Sequence, residues 1–251
     1  MFTFIMIENL PAYISLIFSL ATVVTLILFI RAIKKSNYER KHISVKILAG
    51  LVLWLMLQAI FTKNNVYSSD INSFPPKILL FGILPPILAI VIIFFTKRGR
   101  QFMDQFPLKD MTYLNMVRIP VELVLYWLFL NELIPKLMTF EGRNFDIIVG
   151  ITAPIIAYFG FQKGKINRKV ILLWNFIGLG LLLNIVVNAF LSAPSPIQQF
   201  AFEQPNIAIL HFPFSWLPTF IVPVILFGHL VSIRQLLNRI EKEMTIKKIT
   251  G

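Results

Sequence analysis

Residues 191–235 read LSAPSPIQQFAFEQPNIAILHFPFSWLPTFIVPVILFGHLVSIRQ, a proline-rich loop that runs into the last long apolar segment of the chain. Six of the fifteen prolines lie between Pro194 and Pro223, and no lysine or arginine occurs between Lys169 and Arg234. Loops of soluble proteins run over the surface in contact with water, and they are rich in polar residues. An apolar, aromatic loop joined to an apolar segment of about 20 residues indicates a membrane protein.

The composition of the whole chain supports this conclusion. Of 251 residues, 57% are hydrophobic and 14% are charged, whereas soluble domains have roughly 45–50% apolar and about 25% charged residues. There is no cysteine, which excludes disulfides, thiolate metal sites and iron–sulfur clusters. The first basic residue is Arg31, so the first apolar run lacks the basic start of a signal peptide and we expect it to be a retained helix.

Seven apolar runs have about the length needed to cross a bilayer as helices, since a hydrocarbon core of about 30 Å requires about 20 residues. Each run is continuously apolar, whereas the strands of a membrane barrel alternate. We therefore predict an all-α, polytopic integral membrane protein, a seven-helix bundle that forms one domain over residues 1–251. The predicted spans are residues 10–30, 44–61, 78–96, 113–133, 145–161, 170–191 and 215–237, with an outer cap loop over residues 192–214.

The basic residues predict the orientation of the bundle. Nineteen of the twenty-four lysines and arginines lie in residues 31–46, 97–109, 163–169 and 234–248. The positive-inside rule places these segments and the C-terminus in the cytoplasm and the N-terminus outside. Because topology alone explains the net charge of +12, we expect no nucleic-acid partner. We expect the lipid bilayer as the partner and the cell (inner) membrane as the location.

Prolines interrupt several of the predicted spans, namely Pro85 and Pro86 in the third, Pro120 in the fourth, and Pro218 and Pro223 in the seventh. A proline removes a backbone hydrogen bond, and a carbonyl freed in this way inside a membrane needs another donor. For the third span we therefore expect neighbouring helices to supply those donors. The kink at Pro85 and Pro86 either shapes the helix for packing or acts as a hinge or cavity lining.

The predicted cap loop contains four phenylalanines, Phe200, Phe202, Phe212 and Phe214. Irregular backbone at membrane depth is tolerated where it packs against protein or lines a cavity. We therefore expect the loop to be ordered and all four rings to be buried.

The fourth predicted span carries the clearest polar signal. Asn115, Arg118, Glu122 and Tyr126 follow one another at intervals of three, four and four residues, which places them on one stripe of a helix. A charged side chain within a span costs about 2.5–3.5 kcal/mol on insertion scales, and it nearly always faces the bundle interior or water. Two interpretations stay open: a structural ion pair between Arg118 and Glu122, and a site for a ligand, a proton or an ion.

Further polar residues occur in the last two spans. Gly180, Asn184 and Asn188 lie on one face of the sixth, which favours tight helix packing or the lining of a polar cavity. His229 in the seventh is either a structural hydrogen-bonding group or a ligand contact. We expect Arg118, Glu122 and His229 to meet in one polar site. The predicted ligand-binding residues are Arg118, Glu122, Tyr126, Asn184, Asn188 and His229.

The sequence contains neither H-E-x-x-H nor G-x-S-x-G, and it has three histidines, so we predict no catalytic residue, metal site or cofactor. The leading hypothesis is transport or binding of a small molecule through the polar intramembrane site, and a small-molecule or lipophilic ligand is a possible partner. Two alternatives stay open. One is a receptor or assembly protein that binds a hydrophobic partner or lipid through the outer loop. The other is an intramembrane enzyme acting on a lipophilic substrate.

Overall fold

The computed structural model describes residues 10–36 and 41–250, and the side chains of residues 10–36 and 42–246. Within these ranges the protein is all-α: it is 75% helical and contains no strand. The α-helices are α1 Ala12–Lys35, α2 Lys41–Lys63, α3 Leu84–Phe95, α4 Lys97–Met103, α5 Leu108–Leu114, α6 Arg118–Leu130, α7 Asp146–Ile156, α8 Arg168–Ser192 and α9 Val222–Thr250. Three segments are π-helical: Leu79–Ile83 precedes α3, Ala157–Gln162 follows α7, and Leu217–Ile221 precedes α9. A 3₁₀ turn, Asn115–Val117, joins α5 to α6.

Every predicted span coincides with a helical segment. In the part of the chain that the structure describes, five helices are long and apolar enough to cross a membrane: Ala12–Lys35, His42–Lys63, Leu108–Leu130, Arg168–Ser192 and Leu217–Ile246. The pair Leu79–Phe95 and Lys97–Met103, bent by 94°, counts as a sixth if it is one span, and the apolar helix Asp146–Gln162 is shorter. Several helices of this protein are thus able to span a membrane.

Two of the predicted spans differ in extent from the observed helices. The helix assigned to residues 113–133 begins at Leu108, directly after Pro107, and ends at Leu130. Asp110 lies in its first turn, where a negative charge is favourable, so charged residues there do not mark a loop. The last helix continues past residue 237 to Thr250, with exposed side chains at residues 241–246.

Ion pairs link the helix ends on one side of the bundle, which we call the basic end. The pairs are Lys35–Asp110, Arg234–Asp104 and Arg168–Glu243. Gln235 of α9 also donates to the backbone carbonyls of Met103 and Phe106, at 2.8 and 2.9 Å. The short helix α4 is therefore fastened to α9 at this end.

The predicted cap loop, residues 192–214, lies at the opposite end and is largely ordered against the bundle. The amides of Ile207 and Ala208 both donate to the carbonyl of Leu133 at 3.1 Å. Gln204 donates to the carbonyl of Ile134 at 2.7 Å. The cap thereby holds the loop formed by residues 131–145, in which several residues are fully buried. These are Leu133, Ile134, Met138, Thr139 and Asn144.

Burial of the cap phenylalanines is only partly confirmed. Phe214 is 2% exposed and Phe212 is partly buried. Phe200 and Phe202 are 37% and 71% exposed, so the prediction is wrong for them. The chain turns at Ala201, whose φ is +58°, and the rings on either side of this turn stay on the surface.

Helix α2 supplies the donors that the proline-broken helices need. In a regular α-helix the amide of residue 223 would donate to the carbonyl of Thr219, but Pro223 has no N–H. The indole Nε1 of Trp54 donates to that carbonyl instead, at 2.9 Å. Together with the hydrogen bond from Trp216 Nε1 to the carbonyl of Leu55 at 3.0 Å, this contact joins α2 to the segment that leads into α9.

The same arrangement recurs at Pro85, which likewise follows a π-helical segment. The carbonyl of Phe81, which would bond the amide of residue 85 in a regular helix, accepts from Gln58 Nε2 at 3.1 Å. Tyr67 donates in turn to the side-chain oxygen of Gln58. The prediction that a neighbouring helix meets the carbonyls freed in the third span is confirmed at Pro85. Pro223, for which no such prediction was made, shows the same arrangement.

We expect Trp54→Phe to destabilise the protein by about 1–3 kcal/mol, because a buried carbonyl loses its donor while a smaller aromatic ring remains at this position. The measurement is the free energy of unfolding in detergent. Trp127→Phe is the matched control, since the indole nitrogen of Trp127 has no hydrogen-bond partner in the described structure. In a Pro223→Ala background residue 223 regains its amide, so Trp54→Phe should cost less there. An equal cost in both backgrounds would contradict the assignment.

Candidate functional site

Arg118 is the centre of a buried polar cluster. It lies about 15 Å along the helix that begins at Leu108, and it is 4% exposed. Its Nη1 donates to Asp146 Oδ1 at 3.1 Å, and both Nη atoms lie 3.3 Å from the carbonyl oxygen of Gly178. Its Nη2 lies 3.0 Å from His229 Nε2. Three elements, the start of α7 and the middle parts of α8 and α9, therefore converge on one guanidinium.

The contacts of His229 define its tautomer. Arginine can only donate, so Nε2 accepts from Arg118 and the ring proton lies on Nδ1. Nδ1 is 3.1 Å from Asn175 Oδ1, and Asn175 Nδ2 donates to the carbonyl of Ile171 at 2.9 Å, which leaves the amide oxygen as the acceptor. His229 is therefore a neutral imidazole, fully buried and oriented on both sides.

Glu122 belongs to the cluster through Asn144 and not through Arg118. Its Oε1 accepts from Asn144 Nδ2 at 2.5 Å, and Asn144 Oδ1 accepts from the amide of Asp146 at 3.1 Å. The hypothesis of an ion pair between Arg118 and Glu122 is wrong, because the ion partner is Asp146. The guanidinium reaches three acceptors on neighbouring elements, whereas its own helix offers only a carboxylate in the weaker orientation.

One carboxylate oxygen stays unsatisfied. Among the described residues, Glu122 Oε2 is buried and has no hydrogen-bond partner, and the same holds for Arg118 Nε. Glu122 and Asp146 both border a cavity of about 170 Å³ whose other walls are apolar. These walls include Ile87, Leu125, Met138, Leu182, Val186 and Leu226.

The structure places the other three predicted binding residues outside this cluster. Tyr126 stacks on Phe140, with ring centroids 4.9 Å apart. Asn184 is exposed, and it donates to the carbonyl of Arg143 at 2.8 Å. Asn188 donates to the carbonyl of Asn184 at 2.9 Å. Arg118 and His229 meet as predicted. Glu122 is connected to the cluster indirectly, through its hydrogen bond with Asn144.

Sequence reasoning missed four residues of the cluster, which are Asn144, Asp146, Asn175 and Gly178. Asp146 begins a helix, a position where an acidic residue normally indicates only capping. The close helix contact was expected at Gly180, yet a Cβ there would meet nothing within 4 Å. At Gly178 a Cβ would lie 2.7 Å from His229 Cε1. One sequence signal could have identified this contact: Asn175 and Gly178 are three residues apart and therefore lie on the same face of the helix.

The chemistry of the site follows from these contacts. Asp146 is already paired with Arg118, and the unpartnered acceptor is the buried Oε2 of Glu122, a residue that borders the cavity. In the ranges described by the structure, no group of three or more histidines and acidic residues could hold a metal ion. The arrangement suits a hydrogen-bond donor or a positive charge carried on an apolar body.

The sequence profile of a family described as a domain of unknown function, DUF8737, matches residues 75–237. The chain belongs to this family. The DUF8737 match contains the whole cluster, from Arg118 to His229, and it begins after α2. No curated protein matches the chain, and no solved structure matches it.

We expect Gly178→Ala to destabilise the protein by about 1–3 kcal/mol, because the added methyl group overlaps the ring of His229 in a well-packed region. Thermal unfolding in detergent would report this loss. Gly180→Ala on the same helix is the control, and it should be neutral or slightly stabilising, since alanine is the better helix former by about 1 kcal/mol. Equal effects of the two substitutions would argue against a cluster packed around His229.

Proposed function

We propose that the protein transports a small lipophilic molecule that carries a positive charge or a hydrogen-bond donor, and that the molecule binds in the cavity beside Glu122 and Asp146. The observation that carries this proposal is that Glu122, a residue that lines an apolar cavity, has a buried carboxylate oxygen, Oε2, without a hydrogen-bond partner. A buried acceptor without a donor costs about 1–3 kcal/mol. An ammonium or N–H group of a ligand would satisfy it.

The charges of the cluster favour a cation. Arg118 supplies one positive charge and is engaged by Asp146 at 3.1 Å. His229 is neutral, and in the described structure the buried Glu122 carboxyl has no cationic partner of its own. A bound cation would therefore stabilise the ionised form of Glu122, in which the two carboxylates exceed the guanidinium by one negative charge. A bound cation balances this charge in a region where unpaired charges are costly.

The helices around the cavity support transport over simple binding. Pro218 and Pro223 line it, and so does Ile83, the last residue of the π-segment before α3. Two of the helices that form its wall are therefore irregular beside the site. Transporters typically build their sites from broken helices, because local changes at the break can open the site to either side.

Replacing Glu122 tests the proposal. The probe is radiolabelled phenethylammonium, a small aromatic cation, and the measurement is its uptake into proteoliposomes at neutral pH, corrected for protein-free liposomes. We expect Glu122→Gln to reduce uptake about ten- to a hundredfold, because a charge-assisted hydrogen bond of about 1.5–3 kcal/mol is lost. The fold should persist, since the glutamine oxygen can still accept from Asn144. Glu203→Gln, at an exposed acidic residue, is the control. Equal uptake by both variants, or uptake by the native protein no higher than the leak, would refute the proposal.

We also infer seven spans with the basic end in the cytoplasm. To the five longer helices we add the bent third span, Leu79–Phe95, and the short fifth span, Asp146–Gln162, which gives seven. The ion-paired residues gathered at the basic end support this orientation through the positive-inside rule. In a bacterial cell this arrangement corresponds to the inner membrane.

Single cysteines test the orientation, because the chain contains none. We expect Asn72→Cys and Glu203→Cys to react with an impermeant maleimide in intact cells. Gln101→Cys and Lys165→Cys should react only after the membrane is made permeable. All four positions are exposed, so burial cannot cause a difference between them. The reverse labelling pattern would invert the orientation.

A further inference from the structure

A groove runs along the surface between α1 and the helix Leu108–Leu130. Its volume is about 720 Å³. From Ile17 to Arg31 it extends about 21 Å along α1 at 1.5 Å per residue, which exceeds the roughly 15 Å thickness of one hydrocarbon leaflet. Its walls below the basic end are apolar, and they include Leu20, Val24, Leu28, Met116, Val117 and Pro120.

The mouth of this groove at the basic end is positively charged. Arg31, Lys35, Lys109 and Asp110 line it. The single carboxylate, Asp110, lies 2.6 Å from Lys35 Nζ and 3.8 Å from Arg31 Nε. The three cations and one anion leave two positive charges at the mouth.

Among the described residues, no acidic side chain forms an ion pair with the third cation, Lys109. Lys109 Nζ donates to the neutral side chain of Gln162 at 2.7 Å, and it lies 5.8 Å from the ring centroid of Tyr113. These contacts hold the ammonium beside the groove without cancelling its charge. Arg31 and Lys35 keep side-chain exposures of 64% and 46%, so an anion can reach them.

We propose that this groove binds one anionic phospholipid. The phosphate lies among Arg31, Lys35 and Lys109, and an acyl chain follows the apolar walls toward Ile17. The groove matches such a lipid in charge and in length. A cationic mouth opens directly onto an apolar channel that runs from Ile17 to Leu28, about 16–17 Å at 1.5 Å per residue, which is close to the depth of one leaflet. A second cavity of about 330 Å³, between α2, α3 and α9, is lined by no charged residue, and it therefore lacks what would hold a headgroup.

Native mass spectrometry of the full chain, titrated with dioleoyl-phosphatidylglycerol or dioleoyl-phosphatidylcholine, tests this proposal. We expect one tightly retained phosphatidylglycerol. The triple variant Arg31→Gln, Lys35→Gln, Lys109→Gln should weaken its affinity about a hundredfold, because each basic residue near an anionic headgroup contributes a factor of about five. The control triple Lys97→Gln, Arg98→Gln, Lys165→Gln removes the same charge from exposed positions of the same end that do not line the groove, and it should retain the lipid.

A second pair of variants tests the acyl channel without changing charge. Val24→Trp fills the groove and should reduce retention of phosphatidylglycerol about as strongly as the charge variant. Val23→Trp, at a position equally exposed but outside the groove, should not. Equal loss in the two triple variants would show attraction by net charge alone. Equal retention of phosphatidylcholine, or no effect of Val24→Trp, would equally overturn the proposal. If the charge variant fails to fold, the tryptophan pair still decides the question.

Discussion

Every polar group inside the bundle needs a partner, and much of the architecture follows from this constraint. The guanidinium of Arg118 cannot be left unpaired among apolar helices, and its acceptors lie on α7, α8 and α9. One side chain thus fixes the relative positions of three elements. The same constraint explains the position of helix α2, which supplies donors to carbonyls that prolines leave free.

Much of this arrangement could be predicted from the sequence, and the predictable parts share a physical origin. The helices follow from long apolar runs, and the importance of Arg118 follows from the cost of a charge among such runs. The need for a donor beside Pro85 follows from the missing N–H. Each of these arguments concerns a residue and its immediate neighbours in the chain.

The partners of these residues could not be predicted, because they come from distant parts of the chain. Asp146 meets Arg118 only because residues 131–145 pack into the bundle beneath the cap loop. From sequence alone, the acid at that position is indistinguishable from an ordinary helix cap. Glu122 is closer along the helix and has the opposite charge, so it was the natural but wrong choice. Gly180 was preferred to Gly178 for a similar reason. It shares a helix face with Asn184 and Asn188, and this pattern suggested the packing face, whereas the helix packs through the face of Gly178.

The order in which these groups occur along the chain has a consequence for biogenesis. Arg118 leaves the ribosome 28 residues before Asp146 and 111 residues before His229. The loop that carries Asn144 is held by cap residues made more than 60 residues later. During synthesis Arg118 must therefore wait in the insertion machinery, or near the membrane surface, until its partners arrive. The buried cluster can be completed only when the last helix has been inserted, so a chain that ends before His229 leaves the Arg118 guanidinium without one of its buried partners.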